Sequence, residues 1–474
     1  MLKIIIKKEI LVAFRDVRIQ VSALVLLTLM ITAVILGKQG QKQMQEERES
    51  AHSEMYDQWV NQGEKNPHSA AHYGQFAFKP KSSLSFLDMG LDTYTGTSVF
   101  LEAHKQHEVL FSRAQDSNSM IRFGELTGAL IFQLLIPLLI IFLAFNAISK
   151  EREEGTLKLI YGQGLSLKTL FIGKVFGTYI VVLVLFIPIA VLSYLLLDQQ
   201  VVGFKSQVSE KFFLLVVGYS IYFLISTLIA VLVSSFSKSS GFALISLIGI
   251  WILAGIIIPK ASTSVADKIY PSSSQFDFRN TIAEKVENGI DGHNPSDKRL
   301  ENLKQEILKK YEVQTIEELP VNWSAISLQA GEEYTDQVYD TEFSKIEQTF
   351  RKQNQFSEWV GFINPYIAIR NISMGLSGTD YHHHISFAKA AENYRRDFVK
   401  KMNKDMELNQ RADMAYDEYS VGSEIWSQIQ PFEYELPSTA QVLAIHWKGI
   451  AALTFWLTLL IVLSNIYPNK IVKF

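Results

Sequence analysis

The chain has 474 residues, of which 48% are hydrophobic and 20% are charged, and its formal net charge at pH 7 is −3. This near-neutral balance is unlike that of a dedicated nucleic-acid binder, whose surface carries an excess of Lys and Arg. Cysteine is absent, so no disulfide stabilises the chain and its polar regions must fold around ordinary hydrophobic cores.

The N-terminal segment, residues 1–18, has the pattern of an amphipathic helix. One stripe is apolar and consists of Ile6, Ile10, Phe14 and Val17, while the basic residues lie on other faces: Lys7, Lys8, Arg15 and Arg18. This pattern predicts a helix that lies in the cytoplasmic membrane interface. The alternative is a charged extension of the first span that continues straight into the cytosol.

Six apolar segments follow, each long enough to cross a bilayer. An apolar run of roughly 20 residues spans the hydrocarbon core as a helix. A helix of a soluble protein seldom stays apolar on every face for that length. The sequence therefore predicts an α-helical integral membrane protein with six transmembrane helices, at residues 19–37, 126–148, 169–197, 211–236, 241–259 and 446–467.

The first of these segments is expected to remain in the membrane as a signal anchor. An amphipathic stretch precedes it, and Val34–Lys38 lacks the small-x-small pattern of a signal-peptide cleavage site.

Lys and Arg near the ends of the spans predict the orientation, because cytoplasmic loops are enriched in both. They occur in residues 1–18, in the loop 149–168, in the turn at Lys238 and in the tail 468–474, whereas the loop 198–210 has a single Lys. All four basic places fall on one side of a six-span topology. We therefore expect the chain to lie in the inner membrane of the cell, with both termini in the cytoplasm.

Two long polar regions, residues 38–125 and 260–441, are then external and periplasmic. The first combines a polar helical segment at 39–59 with strand-like stretches at Gln75–Lys79 and Glu108–Phe111, joined by a turn-rich link. The second has apolar residues at helical intervals in Phe278–Tyr311, Glu333–Phe356 and Ile385–Leu408. Because these insertions follow the first span and precede the last, we expect one mostly helical external domain.

No energy source is visible within the chain. A phosphate-binding loop of the form Gly-x4-Gly-Lys-Ser/Thr is absent. The centres of the spans also lack the Asp, Glu or Lys that proton- or sodium-coupled carriers use. We therefore expect a protein that is not an enzyme and holds no cofactor, driven by a partner that binds ATP and Mg²⁺.

Histidines offer two candidate metal sites, and neither is predicted to bind a metal. The run His382–His384 follows Asp380, but neighbouring residues on a helix point about 100° apart, so three in a row cannot face one ion. A helix start with capping and buried hydrogen bonds is the preferred interpretation. A second set has better spacing for a helical pair but is interpreted as polar surface: His68, His72, His104 and His107.

The loop 149–168 resembles a known family. Lys150-Glu151-Arg152-Glu153-Glu154-Gly155-Thr156-Leu157, followed by Gly164 and Gly173-Lys174, is similar to the loop of ABC-2-type permeases, in which E-x-G-T-L precedes a G-K pair. Lys8-Glu9-Ile10-Leu11 and Arg15-Asp16-Val17-Arg18 resemble the interfacial helix of that class.

A narrower resemblance extends into the second insertion. Some ABC-2-type permeases carry large external insertions known only as a domain of unknown function. This chain is similar to them at Trp251–Pro259, Asn364-Pro365, Leu376–Asp380, His382-His383, Phe387, Ala391-Glu392 and Tyr394-Arg395.

The resemblance implies an ATP-driven exporter half with a separate ATPase. Two permease chains, identical or paralogous, would form the pore above two ABC ATPase subunits, in contact with membrane lipid and not with nucleic acid. The residues it places against the ATPase are Glu151, Arg152, Glu153, Glu154, Gly155 and Thr156 in the loop, and Lys8, Glu9, Arg15 and Arg18 in the interfacial helix. An external motif would be structural or bind a periplasmic partner: Pro365, Gly378, Asp380, His382 and His383.

Two other functions compete with this one. A mechanotransmission subunit would use its ATPase to drive the external domain against a periplasmic client, although such machines typically need fewer spans. A membrane-embedded metalloenzyme is disfavoured because no set of ligands lies at membrane depth.

Overall fold

The computed structural model describes residues 1–109, 126–197, 205–294, 296–412 and 414–466. Within these ranges the protein is mostly helical. The predicted tail at 468–474, residues 198–204 of the predicted external loop and residues 110–125 of the first polar region lie outside them.

The described α-helices, α1 to α19, follow one another with few strands between them. They are Leu2–Arg15, Val17–Val60, Pro67–Tyr73, Gly128–Leu130, Ile136–Ala144, Ser149–Glu153, Thr156–Gly162, Leu167–Leu195, Lys205–Phe236, Ser240–Ile252, Ile258–Ile269, Gln275–Glu287, Glu301–Lys310, Trp323–Val360, Pro365–Ser377, Tyr381–Asn409, Ser423–Trp426, Thr439–Ile445 and Trp447–Ile466. Short 3₁₀ turns lie at Lys298–Leu300, Ile316–Glu318 and Tyr416–Glu418, and π turns at Ile131–Leu135 and Leu253–Ile257. Each π turn precedes a helix with proline at its second position, Pro137 or Pro259.

Six helical stretches among the described residues are long and apolar enough to cross a membrane, as predicted. The architecture is that of a multi-pass α-helical membrane protein. The stretches are Val17–Val60, Gly128–Glu153, Leu167–Leu195, Gln207–Phe236, Ser240–Ile269 and Trp447–Ile466.

The first of these, α2, is one continuous helix of 44 residues. At a rise of 1.5 Å per residue it is about 66 Å long, roughly twice the thickness of a hydrocarbon core. It therefore joins the predicted span at 19–37 and the polar helix at 39–59 without a break. Asp16, in an extended conformation, separates α1 from α2 and caps α2 by accepting a hydrogen bond from the backbone N–H of Arg18.

Helix α9 is the centre of the membrane part, since it contacts α5, α8, α15 and α19. Its buried Tyr219 and Phe223 meet the rings of Phe132 and Phe186, with centroids 5.0 Å apart for Phe132–Tyr219 and 5.1 Å apart for Phe186–Phe223. The Gln133 side chain donates a hydrogen bond to the Tyr219 hydroxyl at 2.9 Å. The polar residues of this bundle thus bond one another between helices.

The two polar regions share a core, and we call them together the insertion domain (residues 38–109 and 260–441). Trp59 at the end of α2 packs edge-on against Trp426 and Phe398 of the second region. Its indole N–H donates to the backbone carbonyl of Trp426 at 2.9 Å. The end of the long helix is therefore anchored inside the insertion domain.

The sheet of the insertion domain differs from the prediction. Strand β1, Gln75–Phe78, is confirmed, but it pairs with β2, Ser98–Glu102, and β2 pairs with β3, Lys105–Gln106, both antiparallel. Glu108 and Val109 are not in a strand, and Leu110 and Phe111 lie outside the described residues. The strand prediction failed at Glu108 because a turn at His104, with φ +65°, reverses the chain directly after β2.

Candidate functional site

The interfacial-helix candidate α1 lies against the start of α8, and two glycines allow the close approach. A Cβ atom at Gly173 would lie 2.5 Å from the Ile5 side chain, and one at Gly177 would lie 2.5 Å from the Glu9 side chain. Small residues four apart let helix backbones pack closely. The glycine of the Gly173-Lys174 pair therefore has a steric role.

Lys174 joins three segments through a buried ammonium group. Its Nζ lies 3.0 Å from Glu9 Oε1 in α1 and 3.3 Å from Glu151 Oε1 in α6, and the Lys174 side chain is only 6% exposed. Lys8 Nζ adds a third ion pair, at 3.3 Å from Glu151 Oε1. The Thr156 hydroxyl donates to Glu151 Oε2 at 2.6 Å. A buried charge is tolerated when it is paired in this way, so these contacts fix α1 and α6 to α8.

Arg152 and Glu153 attach the loop to the turn between α9 and α10. The Arg152 guanidinium donates to the backbone carbonyls of Ser235 and Ser237, at 2.7 and 2.5 Å. Glu153 Oε2 accepts hydrogen bonds from the Ser240 backbone N–H at 3.1 Å and hydroxyl at 2.9 Å. A cation thus lies at the end of one helix and an anion at the start of the next, where the helix dipoles favour each.

Gly155 separates α6 from α7. Its φ of +74° lies in the left-handed region, and no atom would lie within 4 Å of an added Cβ. The requirement for glycine is therefore one of backbone conformation and not of space.

On both sides of this turn the loop presents exposed side chains, which we call the coupling surface: Lys150, Glu154, Lys158, Leu159 and Tyr161. Leu159 is 66% exposed and Tyr161 is 47% exposed. The Lys150 and Glu154 side chains are 58% and 54% exposed, with Nζ and Oε1 3.7 Å apart. Neighbouring Leu157 is buried against Leu167 and Leu170, so the short helix α7 is held by one side and exposes the other.

The structure divides the predicted loop residues into two groups. Glu151, Arg152, Glu153 and Thr156 take part in the contacts that attach the loop to the helices, whereas Glu154 pairs with Lys150 on the coupling surface. The backbone carbonyls that Arg152 meets, and the exposed apolar pair on α7, were missed by sequence reasoning. No pattern in the sequence marked the pair, because Leu157, Leu159 and Tyr161 are all hydrophobic and only packing decides that Leu157 is the buried one.

The predicted N-terminal residues also separate. Lys8 and Glu9 reach the Lys174 cluster. Arg15 lies in the last turn of α1, and Arg18 pairs with Asp16 at 2.9 Å where α2 begins. The structure therefore brings the first two to the loop and leaves the other two at the junction of the helices.

The external motif surrounds a buried carboxylate. Pro365 is the first residue of α15, Gly378 with φ +72° ends it, and Asp380 caps α16 by accepting from the His383 backbone N–H at 2.9 Å. The Asp380 carboxylate also accepts from His383 Nδ1 and from His446 Nε2, both at 2.6 Å. Burial alone would raise the pKa of Asp380, but these two hydrogen bonds outweigh it and hold the pKa well below its ordinary value.

His446 was missed by sequence reasoning, because it is distant in the chain and only packing brings it to Asp380. Its ring lies against Gly375, where an added Cβ would be 2.2 Å from Nε2. His382 lies outside the hydrogen-bonded group, with its ring centroid 6.1 Å from that of His446. The predicted capping and buried hydrogen bonds are present, and they involve His383 alone of the three consecutive histidines.

The second histidine set is partly brought together. His68, His72 and His104 converge with His293 of the second polar region, and one ring nitrogen from each of the four lies within 4.8 Å of the other three. His107 is elsewhere, with Nε2 2.6 Å from Glu102 Oε1. Burial, followed by the neighbouring His104, lowers the pKa of His68 to about 3.

The six helices that are long and apolar enough to cross a membrane indicate a multi-pass membrane protein. The loop adds a small exposed surface that is attached to these helices. Residues 98–269 match the family described as ABC-2 family transporter protein. Residues 276–435 match a domain of unknown function, DUF3526. A comparison with curated proteins gives no match.

These matches confirm the resemblance inferred from the sequence: the chain carries an ABC-2 transporter permease domain followed by a further domain. The matched domain supports a membrane permease of an ABC transporter, and the ABC-2 permease family implies partnership with an ABC ATPase subunit.

Proposed function

We propose that this chain is the permease subunit of an ATP-driven ABC-2-type exporter, coupled to a separate ATPase through residues 149–168 and α1. Two such chains, identical or paralogous, form the translocation pathway in the inner membrane. Both termini are cytoplasmic, and the insertion domain is periplasmic. The chain has no ATPase site of its own, so ATP and Mg²⁺ are bound by the partner.

The observation that carries the proposal is the buried cluster at Lys174. It ties α1 and α6 to α8, while Arg152 and Glu153 tie α6 to the turn between α9 and α10. A force applied to the loop would therefore reach several crossing helices at once. This rigid attachment is what a permease needs if a cytoplasmic motor is to move its spans.

The coupling surface is where the motor would dock. Leu159 and Tyr161 offer apolar area, and Lys150 and Glu154 form a polar rim. Interfaces commonly combine an apolar centre with a charged edge. Glu151 and Glu153 contribute indirectly, because their carboxylates are already bonded within the chain.

The test is co-purification with the cognate ABC ATPase after co-expression. Leu159→Ser removes an apolar contact whose burial is worth about 1.5–3 kcal/mol, so we expect roughly tenfold or greater loss of ATPase recovered per permease. Leu408→Ser is the matched control, since Leu408 is similarly exposed, at 58%, in the insertion domain. Equal ATPase recovery from the two variants would refute docking at this surface.

A second function, mechanotransmission, is favoured by the continuity of α2. This helix runs unbroken from a crossing segment to the Trp59 anchor in the insertion domain. It would transmit movement of the membrane part to a periplasmic client without any substrate crossing the spans.

A proline in the exposed middle of α2 distinguishes the two functions. Glu47→Pro breaks the helix at a cost of about 3 kcal/mol or more, and Glu47→Ala is the control that keeps it. An exporter should retain ATP-driven export of its substrate in reconstituted vesicles if α2 is only a support. If no substrate crosses with the wild-type chain, and Glu47→Pro abolishes action on the client, mechanotransmission replaces export.

A further inference from the structure

Four histidines from both halves of the insertion domain converge on one point. The ring centroids of His104 and His293 are 4.6 Å apart, and those of His68 and His72 are 4.9 Å apart. His68 Nε2 and His104 Nε2 are 3.1 Å apart. The cluster is thus a set of four nitrogen ligands of the kind that transition metals prefer.

Local structure places each of the four. His68 and His72 are four residues apart on α3, so they share one face of that helix. His104 occupies the tight turn between β2 and β3. His293 lies in the connection after α12, which is held to α14 by a close contact between Gly292 and Gly331.

A chain of amide hydrogen bonds determines which nitrogen of His68 carries the proton. Gln329 Nε2 donates to the carboxylate of Glu333, so Gln329 Oε1 accepts from Asn403 Nδ2 at 3.1 Å. Asn403 Oδ1 therefore faces His68 Nδ1, at 2.8 Å. Because this oxygen can only accept, His68 Nδ1 is the donor.

His104 is oriented in the same way. Its Nδ1 lies 2.8 Å from Glu332 Oε1, and the same carboxylate accepts the His104 backbone N–H at 3.0 Å. A carboxylate that accepts from Nδ1–H is the usual outer partner of a metal-bound histidine. In neutral His68 and His104 both Nε2 atoms then carry a lone pair.

Two such lone pairs facing each other at 3.1 Å repel unless a cation lies between or beside them. A tetrahedral Zn²⁺ site has Zn–N bonds of about 2.0–2.1 Å, which makes the distance between ligand nitrogens roughly 3.3 Å, close to the distance observed. A shared proton would engage these two rings only. A metal ion accounts for His72 and His293 as well.

We propose that His68, His72, His104 and His293 bind one Zn²⁺-class divalent transition-metal ion. The ion would link the two polar regions, because the first supplies three ligands and the second supplies His293. This reverses the expectation from the sequence that no metal is bound. It is independent of the proposed transport function, since the site lies far from the coupling surface in the chain and belongs to the insertion domain.

The experiment is Zn²⁺ titration of the tag-free full chain in detergent, against a chromophoric chelator. His72→Ala and His293→Ala are the test variants, because both side chains are exposed and their removal spares the buried partners of His68. His107→Ala is the matched control, a histidine of the same domain that pairs with Glu102 outside the cluster.

We expect one Zn²⁺ per chain, at least tenfold weaker binding in each test variant and a less than twofold change in the control. Co²⁺ bound to the wild-type chain should show the intense visible absorption of a tetrahedral site. Folding of each variant is checked by the fluorescence of the buried Trp59 and Trp426 pair. Absence of stoichiometric Zn²⁺, or unchanged affinity in both test variants, overturns the proposal.

Discussion

The Lys174 cluster and the histidine cluster differ in how their polar groups are paired. Around Lys174 a cation meets the carboxylates of Glu9 and Glu151, so opposite charges satisfy one another within the chain. In the histidine cluster the outward nitrogens are bonded to Asn403 and Glu332, and the inward nitrogens of His68 and His104 face each other. A closed ion pair holds elements together by itself, whereas converging lone pairs require something from outside the chain.

Removing the buried cation is the strongest way to break the first cluster. Lys174→Met leaves Glu9 and Glu151 without their shared partner, and we expect a loss of about 3–5 kcal/mol, because an unpaired buried charge is costly. The measurement is the apparent unfolding temperature and yield of the purified chain in detergent. Lys150→Met, on the exposed surface, should have little effect. Restoration of stability by adding Glu9→Gln and Glu151→Gln would confirm the cause, and equal effects of the two lysine substitutions would contradict it.

The Asp380 carboxylate is a second closed cluster, located in the insertion domain. Asp380→Asn replaces an acceptor of two imidazole N–H groups by an amide that can accept with one atom only. We expect a loss of about 2–3 kcal/mol, since hydrogen bonds to a charged group are worth roughly 1.5–3 kcal/mol each. Thermal unfolding followed by tryptophan fluorescence measures it, with exposed Asp397→Asn as the control. A loss no larger than that of the control would show that the buried network is not stabilising.

Gly173 tests whether close packing of α1 matters as much as charge. Gly173→Ala places a Cβ against Ile5, and overpacking of this kind costs about 1–3 kcal/mol. Gly162→Ala is the control, because nothing lies within 4 Å of its added Cβ. The double variant Ile5→Ala with Gly173→Ala should recover part of the loss in apparent unfolding temperature. Absence of any recovery would mean that Ile5 is not the obstacle.

The smallest effect on stability is expected at His384, and this effect depends on pH. Burial, followed by nearby Lys79, lowers its pKa to about 4, while Asp92 partly opposes the shift. The unfolded chain, with a pKa near 6.5, therefore takes up the proton first. This contribution to stability is complete above pH 6.5 and is lost as the pH falls towards 4.

We expect His384→Gln to reduce the loss of stability between pH 7 and pH 5 by roughly 1–2 kcal/mol. Unfolding temperatures of wild-type and variant chains across this range measure the difference. Lys400→Gln, at an exposed position of α16, is the control. Parallel pH curves for the wild type and His384→Gln would contradict the assignment.

Local features of the sequence were enough to predict much of this protein. Long apolar runs predict membrane-crossing helices, because a helix makes its backbone hydrogen bonds within a single segment, as the lipid environment requires. A helix start with capping was expected at Asp380, and the E-x-G-T-L motif with Gly155 was expected in the loop between two spans. Each of these depends on residues within one or two turns of each other.

Contacts between distant residues could not be predicted in the same way. The pairing of β2 with β3 depended on a left-handed turn at His104, and the partnership of Asp380 with His446 depended on how α15 and α19 pack. His293 joins the other three histidines across a large separation in sequence, and no spacing rule points to it. The sequence alone determined which segments cross the membrane, and the tertiary structure decided which polar side chains meet, because side-chain convergence is set by packing between elements and not by spacing within them.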